Sequence, residues 1–433
     1  MSEPLKIAVA GLGTVGAGTL QLLLAQAEML SLRAGRPLQV TAVSARNRGR
    51  NRGVDLSPFA WYDDAVAMAR EADADVVVEL IGGSDGAARA VCEAAFAAGR
   101  HVVTANKALL AMHGTGLARS AEAAGVTLGW EAAVAGGIPV IRTLREGLAG
   151  NRIGRIQGIL NGTCNYILTT MRETGREFGD VLDEAQHLGY AEADPGFDID
   201  GVDAAHKLAL LSALAFGAEV DFDGVYVEGI RNIAAMDIEY AGELGYRIKL
   251  LGIAEMNHDG IHQRVHPAMV PADAPIAAVE GVFNGVVAEG DYVGTTVLEG
   301  RGAGAGPTSS AVAGDLVDIA CGRRAPTFGI PATALQAIPS LPMDRHVGPY
   351  YVRLMVIDKP GVFADVAATL RDCEISFESV LQRSRAPGDV VPVVLTTHEA
   401  SEASMQRAIT EIERIEAVRE PPNMIRIERG SMD

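Results

Sequence analysis

Asp203 and Lys207 lie four residues apart in Val202-Asp203-Ala204-Ala205-His206-Lys207-Leu208-Ala209-Leu210-Leu211, a stretch that is otherwise almost all apolar. Four residues is about one helical turn, so the two side chains share a face. A helix that is apolar all round is buried, and a buried ammonium is costly unless paired. A lysine so placed can give a proton to a reacting oxygen or take one from it. The plainer alternative is an Asp–Lys helix pair at a domain seam. Two further segments crowd polar residues into apolar sequence. Thr104-Ala105-Asn106-Lys107 follows a strand-like run, at the edge where open α/β sheets bind ligands. Asn161-Gly162-Thr163-Cys164-Asn165-Tyr166 reads as a strand-to-helix turn. The acidic run from Glu192 to Asp203 lacks the spacing of an EF-hand. His113 and His206 read as structural, and Cys164 has no evident base to make it a nucleophile.

These residues need a scaffold, and the first 130 residues supply a recognisable one. Strand-like runs at Lys6–Ala10, Gln39–Ser44, Asp75–Leu80, His101–Thr104 and Val126–Trp130 alternate with helical stretches, among them Asp64–Glu71, Gly86–Ala98 and Gly114–Ala124. Nearly all-apolar strands in that alternation predict a parallel sheet covered on both faces. The first strand runs into Gly11-Leu12-Gly13-Thr14-Val15-Gly16. This is G-x-G-x-x-G between a strand and a helix, the context a dinucleotide fingerprint requires. Gly11 permits the turn, Gly13 lets a pyrophosphate reach the backbone, and Gly16 lets the helix pack. The helix N-terminus then meets the phosphates. The second strand ends without the acid that holds the ribose hydroxyls in NAD enzymes. Instead it runs into Arg46, Arg48, Arg50 and Arg52. Arginines suit a ribose 2′-phosphate, so NADP is expected, with NAD as the alternative.

Past residue 138 the pattern becomes α+β. Helices are expected at Ile138–Leu148, Cys164–Glu173, Phe178–Leu188 and Val202–Ala215, with strands at Arg155–Leu160, Lys249–Met256, His262–Pro267 and Val282–Glu289. A Gly-rich stretch, Gly300–Gly306, leads into a helix at Thr308–Ala320. Residues 326–349 read as a Pro-rich linker. Residues 350–428 follow the order β-α-β-β-α-β, a ferredoxin-like unit.

Composition sets bounds. With 433 residues, two or three domains are expected. At 48% apolar and 21% charged the chain is not a disordered one. Fifty-five acids against 37 bases give a net charge of −18, a poor basis for nucleic-acid binding. No uncharged apolar run is long enough to span a membrane, and the N-terminus lacks the features of a signal peptide. Four scattered cysteines fit neither a zinc site nor a disulfide framework. A cytoplasmic protein is expected.

GLGTVG, TANK, WEAAVAGGIPVI, NGTCNYIL, GYAEADPGFDIDGVDAAHK and EGRGAGAGPTSSAV, in that order, resemble the motifs of the homoserine dehydrogenases over nearly the whole chain. The tail, from YYVRLMVIDKPGVFADVAATL onward, resembles an ACT domain, and the whole resembles the monofunctional form. The resemblance implies an α/β protein of three parts. These are a Rossmann-type domain at 1–138 completed by about 301–325, a substrate-binding, catalytic and dimerisation domain at 139–300, and an ACT domain at 350–428 after the linker. It implies reversible NAD(P)-dependent interconversion of L-homoserine and L-aspartate 4-semialdehyde, in threonine and methionine synthesis. Lys207 would be the acid/base, with Lys107 beside it and the nicotinamide. Glu192 and Asp203 would hold the substrate's ammonium, and Thr163 would touch substrate or cofactor. Gly11, Leu12, Gly13, Thr14, Val15, Gly16, Arg46, Thr104, Lys107, Gly189 and Gly304 would line the cofactor. Glu131, Val134, Gly136 and Ile138 would bind a monovalent cation, sodium. A threonine effector at the ACT domain and a homodimer or homotetramer are also implied, with no nucleic acid and no membrane. A non-catalytic sensor of NADP and an amino acid is the alternative of another class; the two lysines speak against it. A Cys164-dependent aldehyde dehydrogenase is the second alternative; the lack of an evident base for the thiol speaks against it.

Overall fold

Short apolar strands separated by helices build the first sheet. The computed structural model describes residues 3–383 and 386–428. Strands β1 (Leu5–Ala10), β2 (Leu38–Ser44), β3 (Ala60–Tyr62), β4 (Val76–Glu79), β5 (His101–Thr104) and β6 (Leu128–Gly129) pair in the order β3-β2-β1-β4-β5-β6, all parallel. Val76, Val77, Val78, Val102 and Val103 are fully buried, because helices cover both faces. A helix from far along the chain, Ala305–Ala320, packs against the first helix, Thr14–Ala25, and completes this layer.

The helix expected at Gly114–Ala124 begins two turns earlier, at Lys107. Asn106 caps it by accepting a hydrogen bond from Leu109 N at 3.1 Å. The helix expected over Ile138–Leu148 is irregular: one α turn at Val140–Arg142 runs into a π turn at Thr143–Gly147.

The second sheet is antiparallel through its catalytic half except for one short strand. Strands β7 (Ile153–Ile159), β8 (Tyr226–Val227), β9 (Tyr246–Asn257), β10 (Gly260–Pro271), β11 (Phe283–Gly290) and β12 (Gly294–Arg301) lie in the order β12-β11-β7-β9-β10, with the short β8 paired in parallel on β10. The long helix Val202–Phe216 packs on β7, β9 and β10 and is buried from Asp203 to Leu214. Strand β12 has no counterpart among the expected elements; it is an exposed edge with little apolar alternation to betray it.

Beyond β13 (Val347–Gly348), the C-terminal unit contains β14 (Tyr350–Ile357), β15 (Phe377–Leu381), β16 (Val390–Thr397), β17 (Ala400–Ser401) and β18 (Asn423–Ile427). Its four longer strands lie in the order β18-β14-β16-β15, with helices at Val362–Asp372 and Glu402–Glu413. That is the expected β-α-β-β-α-β order, but the unit is not a bead on a string. Strand β18 pairs in parallel with β10, Ala268 opposite Arg426 and Met269 opposite Ile427, so the catalytic sheet runs on into the C-terminal sheet. The intervening residues are also anchored. Thr327 O accepts from the Trp130 indole at 2.9 Å, and Glu122 accepts from Ala332 N at 2.7 Å. Phe328 is buried against Trp130. Among the described residues, no helix is long and apolar enough to cross a membrane.

Candidate active site

At the end of β1 the three glycines do different things. A Cβ on Gly11, whose φ is +96°, would stand 2.4 Å from the carbonyl oxygen of Leu80; one on Gly16 would stand 2.0 Å from that of Gly11. Neither position accepts a side chain. Gly13 has nothing within 4 Å of its Cβ position, so the backbone is open where a pyrophosphate would approach. Thr14 begins the helix, whose first N–H groups have no intrahelical partners. Leu12 is buried and its carbonyl accepts from Arg52 Nε at 3.1 Å, while the Val15 carbonyl accepts from Ser309 Oγ. Arg52 also bonds the carbonyls of Asn47 and Arg50, so it staples the basic loop. Arg46, Arg48 and Arg50 are exposed, and their side chains make no hydrogen bond or ion pair among the described residues. Arg48 stands 5.6 Å from the Trp61 ring. These features fit a dinucleotide.

The catalytic candidates converge on one carboxylate. Lys207 Nζ lies 2.7 Å from Asp203 Oδ2, and Lys107 Nζ lies 3.0 Å from Asp203 Oδ1. The two segments flagged in the sequence, Thr104–Lys107 and the Asp203–Lys207 helix, are thus joined. Lys207 is only 8% exposed and also donates to the carbonyl of Leu160 at 2.7 Å. An ammonium has three donors, so one remains. Burial pulls the Lys207 ammonium below its usual range; Asp203 opposes that and Lys107 adds to it. Burial also pushes against ionisation of Asp203, but the two ammoniums outweigh it and hold this carboxyl well below the ordinary carboxylate range. The site therefore carries a stable anion and two crowded cations.

Asn161 ties this centre together. Its Oδ1 accepts from Cys164 N at 2.9 Å and so caps the helix Gly162–Thr174. Its Nδ2 donates to Asp203 Oδ2 and to Asp198 Oδ1, both at 2.8 Å. One carboxamide thus fixes two carboxylates and a helix end. Asn284 donates to the same Leu160 carbonyl that Lys207 uses, at 3.0 Å. Glu79 was invisible in its all-valine strand. It accepts from Thr104 Oγ1 at 2.6 Å and from Ile81 N at 2.7 Å, locking the ends of β4 and β5. No short motif announces Glu79 or Asn284. Asn161 carries the usual signal of an N-cap residue, an Asn directly before a helix whose side chain accepts from an N–H three residues on.

Other expected residues fall in several places. Thr104 is fully buried with its hydroxyl on Glu79, so it positions Lys107 rather than facing a ligand. The Thr163 hydroxyl donates to the Tyr190 carbonyl at 2.8 Å. Glu192 is exposed, and its side chain makes no hydrogen bond or ion pair among the described residues. Asp198 stands in the cluster instead; burial first, and the neighbouring Asp203 second, raise its pKa. Gly189 and Gly304 take positive φ, 76° and 110°. His206 is wedged between the Phe197 and Phe222 rings, a packing position. Cys164 is fully buried and burial pushes its thiol well up, which removes it as a nucleophile.

The expected cation ligands fit only in part. Both carboxylate oxygens of Glu131 accept main-chain hydrogen bonds, from Ile141 N at 2.8 Å and Arg142 N at 2.9 Å. The Ile138 carbonyl accepts from Val140 N at 2.7 Å. The Glu131 side chain therefore serves as a cap for the turn that follows, with one hydrogen bond on each oxygen. Among the described residues, no group of three or more His, Cys, Asp or Glu is placed to hold a metal ion.

An open glycine turn at the edge of a parallel sheet, with two ammoniums gathered on one carboxylate nearby, defines a dinucleotide-binding oxidoreductase. Two family models match the chain: homoserine dehydrogenase, NAD binding domain, over residues 11–131, and homoserine dehydrogenase over residues 139–317. The homoserine dehydrogenase of Pseudomonas aeruginosa is 45% identical, the match covering 99% of each chain. That of Neisseria gonorrhoeae is also 45% identical, over 98% of this chain and 99% of that one. The crystal structure of a homoserine dehydrogenase from Thiobacillus denitrificans superposes with a TM-score of 0.92 at 44% identity, over 99% of both chains. A hyperthermophilic archaeal homoserine dehydrogenase, solved in complex with NADPH, gives a TM-score of 0.63 at 26% identity, over 73% of this chain and 97% of that one. The chain belongs to the homoserine dehydrogenase family.

Proposed function

We propose that the chain interconverts L-homoserine and L-aspartate 4-semialdehyde with NADP, feeding threonine and methionine synthesis. The observation that carries this is the Lys207–Asp203–Lys107 arrangement at the cofactor edge of the first sheet. A bound nicotinamide supplies or accepts the hydride. As the aldehyde is reduced, negative charge grows on its oxygen, and the third donor of Lys207 points a proton at it. Lys107 adds positive charge at the same place. Asp203 holds both ammoniums, and the Leu160 carbonyl sets the direction of Lys207. A substrate ammonium needs a carboxylate. Asp203 has both oxygens occupied, whereas Asp198 Oδ2 has only a 3.4 Å contact to the Thr163 hydroxyl, so Asp198 joins Glu192 and Asp203 as a candidate. No step is routed through a cation; Glu131 and the carbonyls of Val134, Gly136 and Ile138 are proposed as the sodium ligands.

The preference for NADP rests on the missing acid after Ser44 and on the unpaired Arg46, Arg48 and Arg50; the NADPH bound by the archaeal relative agrees with it. The test is consumption of NADPH and of NADH with aspartate semialdehyde. In Arg46→Glu the KM for NADPH should rise about tenfold or more, since hydrogen bonds to charged groups are worth about 1.5–3 kcal/mol, and the KM for NADH should hardly move. Equal losses with both cofactors would show that the loop does not read the 2′-phosphate.

The C-terminal unit is proposed to be an ACT domain whose threonine site lies at the turn Asp358–Val362, acting by preferential binding to a less active state. Cutting the chain near Pro342 is a poor test, because it removes β18 from β10 and Glu428 from Arg155 and Arg264. The full-length enzyme should instead lose activity in millimolar L-threonine; an insensitive full-length enzyme would overturn the effector assignment. Assembly as a homodimer or homotetramer fits the open edge at β12, beside which Tyr292 is 88% exposed.

A further inference from the structure

The junction of the two halves of the long sheet holds a cleft of about 440 Å³, remote in sequence from every residue of the catalytic centre except through β7. It opens between β9 and β10 on one side and residues 345–349 and 427–428 on the other. Its floor is an ionic lattice. Arg264 and Arg155 each bond both Glu255 and Glu428, at 2.8 to 3.3 Å, so two guanidiniums and two carboxylates neutralise one another.

What that lattice leaves over is unusual. His262 Nε2, His346 Nε2 and Arg264 Nε have no hydrogen-bond partner among the described residues. All three side chains line the cleft, and their residues are 4%, 8% and 1% exposed. Buried polar atoms are normally paired, and three orphans around one cleft call for a guest that hydrogen-bonds. The two imidazole rings lie 5.8 Å apart. Burial first and Arg264 second push both imidazoles down to about 4, so they are neutral near pH 7. Gly348 sits at the wall. A Cβ there would fall 3.0 Å from His346 Nε2, yet the backbone of Gly348 does not take positive φ. The glycine is thus not demanded by the chain's geometry; a methyl group there would crowd that nitrogen. At the mouth, the Arg345 guanidinium is mostly exposed and its ion pair with Asp259 is long, 3.8 Å.

The geometry points to a second binding site here, for a small monocarboxylate such as an α-amino acid or a hydroxy acid. A carboxylate presents two acceptors in one plane, which suits two neighbouring imidazole N–H donors and one arginine. Glu255, Glu399 and Glu428 line the same cleft, and their negative charge disfavours a dianion such as phosphate. This site lies at the start of β14, whereas the turn proposed for threonine lies past its end, so the two assignments stand or fall separately.

Calorimetry on the full-length enzyme, with L-serine, L-glycerate and inorganic phosphate as probes, tests the assignment. Saturable binding of serine or glycerate at millimolar concentration is expected, weakened about tenfold or more, or 1.4 kcal/mol, in Gly348→Ala. His346→Phe should weaken it likewise, and both variants should keep wild-type kcat on aspartate semialdehyde. Binding of both carboxylates identifies a carboxylate site; binding of serine alone adds recognition of the ammonium by the cleft's glutamates. Three results would overturn the proposal: no binding of either carboxylate to the wild type, binding of phosphate only, or carboxylate binding unchanged in His346→Phe.

Discussion

Lys207→Ala should lower kcat by about 10²–10⁴, the usual worth of a positioned general acid, while NADPH binds nearly as in the wild type. The separation follows from where the lysine is. Its ammonium touches only Asp203 and the Leu160 carbonyl, and the glycine turn that receives the pyrophosphate lies on another element. Alanine removes the proton and the charge, and the space left in a buried helix gives water no fixed donor. Lys107 cannot stand in at full efficiency, because its ammonium is tied to the other oxygen of Asp203. A variant that kept more than about a tenth of wild-type kcat would assign the proton to another group.

Asp203→Ala should be worse for the fold and nearly as bad for catalysis. The carboxylate is the shared partner of two ammoniums, and Lys207 is largely buried. Removing one partner of a buried ion pair costs about 3–5 kcal/mol. Part of that is recovered if Lys207 gives up its proton, which would leave no acid for the reaction. Thermal unfolding should therefore come at a clearly lower temperature, and the rate should fall at neutral pH. The sign with pH follows from the depressed Asp203 pKa. In the wild type the pair contributes stability above the ordinary carboxylate range and loses it as pH falls through the folded value; the variant should lack this acid sensitivity. Asp203→Asn keeps the shape but not the charge, and should fall between the two. An unchanged melting temperature in Asp203→Ala would mean that the lysines are not held by this carboxylate.

Much of the first sheet was legible because its signals are local. Gly11, Gly13 and Gly16 each meet the space that the strand–turn–helix motif predicts. The pairing of Asp203 with Lys207 was also legible, since four residues on a helix settle it. What could not be read is what long-range contacts decide. Nothing near Glu79 marks it as the lock between β4 and β5. The helix at Lys107 starts where Asn106 caps it, a signal masked by the glycines at 114 and 116. The order of strands in the C-terminal unit follows from its hydrophobic pattern, but its fusion with the catalytic sheet rests on two residue pairs more than 150 residues apart in sequence. Those backbone bonds have no sequence signature. The expected role of Glu131 met a competitor, the unpaired N–H groups of the turn at Ile141 and Arg142.

In this mechanism a buried lysine of lowered pKa, held by Asp203, delivers the proton. The most direct test is the pH dependence of kcat for aspartate semialdehyde reduction in the wild type and in Lys207→Ala. A proton donor must be charged to act, so wild-type activity should fall as pH rises through the Lys207 value, which burial places below that of an ordinary lysine. In Lys207→Ala the residual activity should show no such alkaline limb. A variant that kept the same limb at the same pH, with turnover near wild type, would assign the proton to a group other than Lys207.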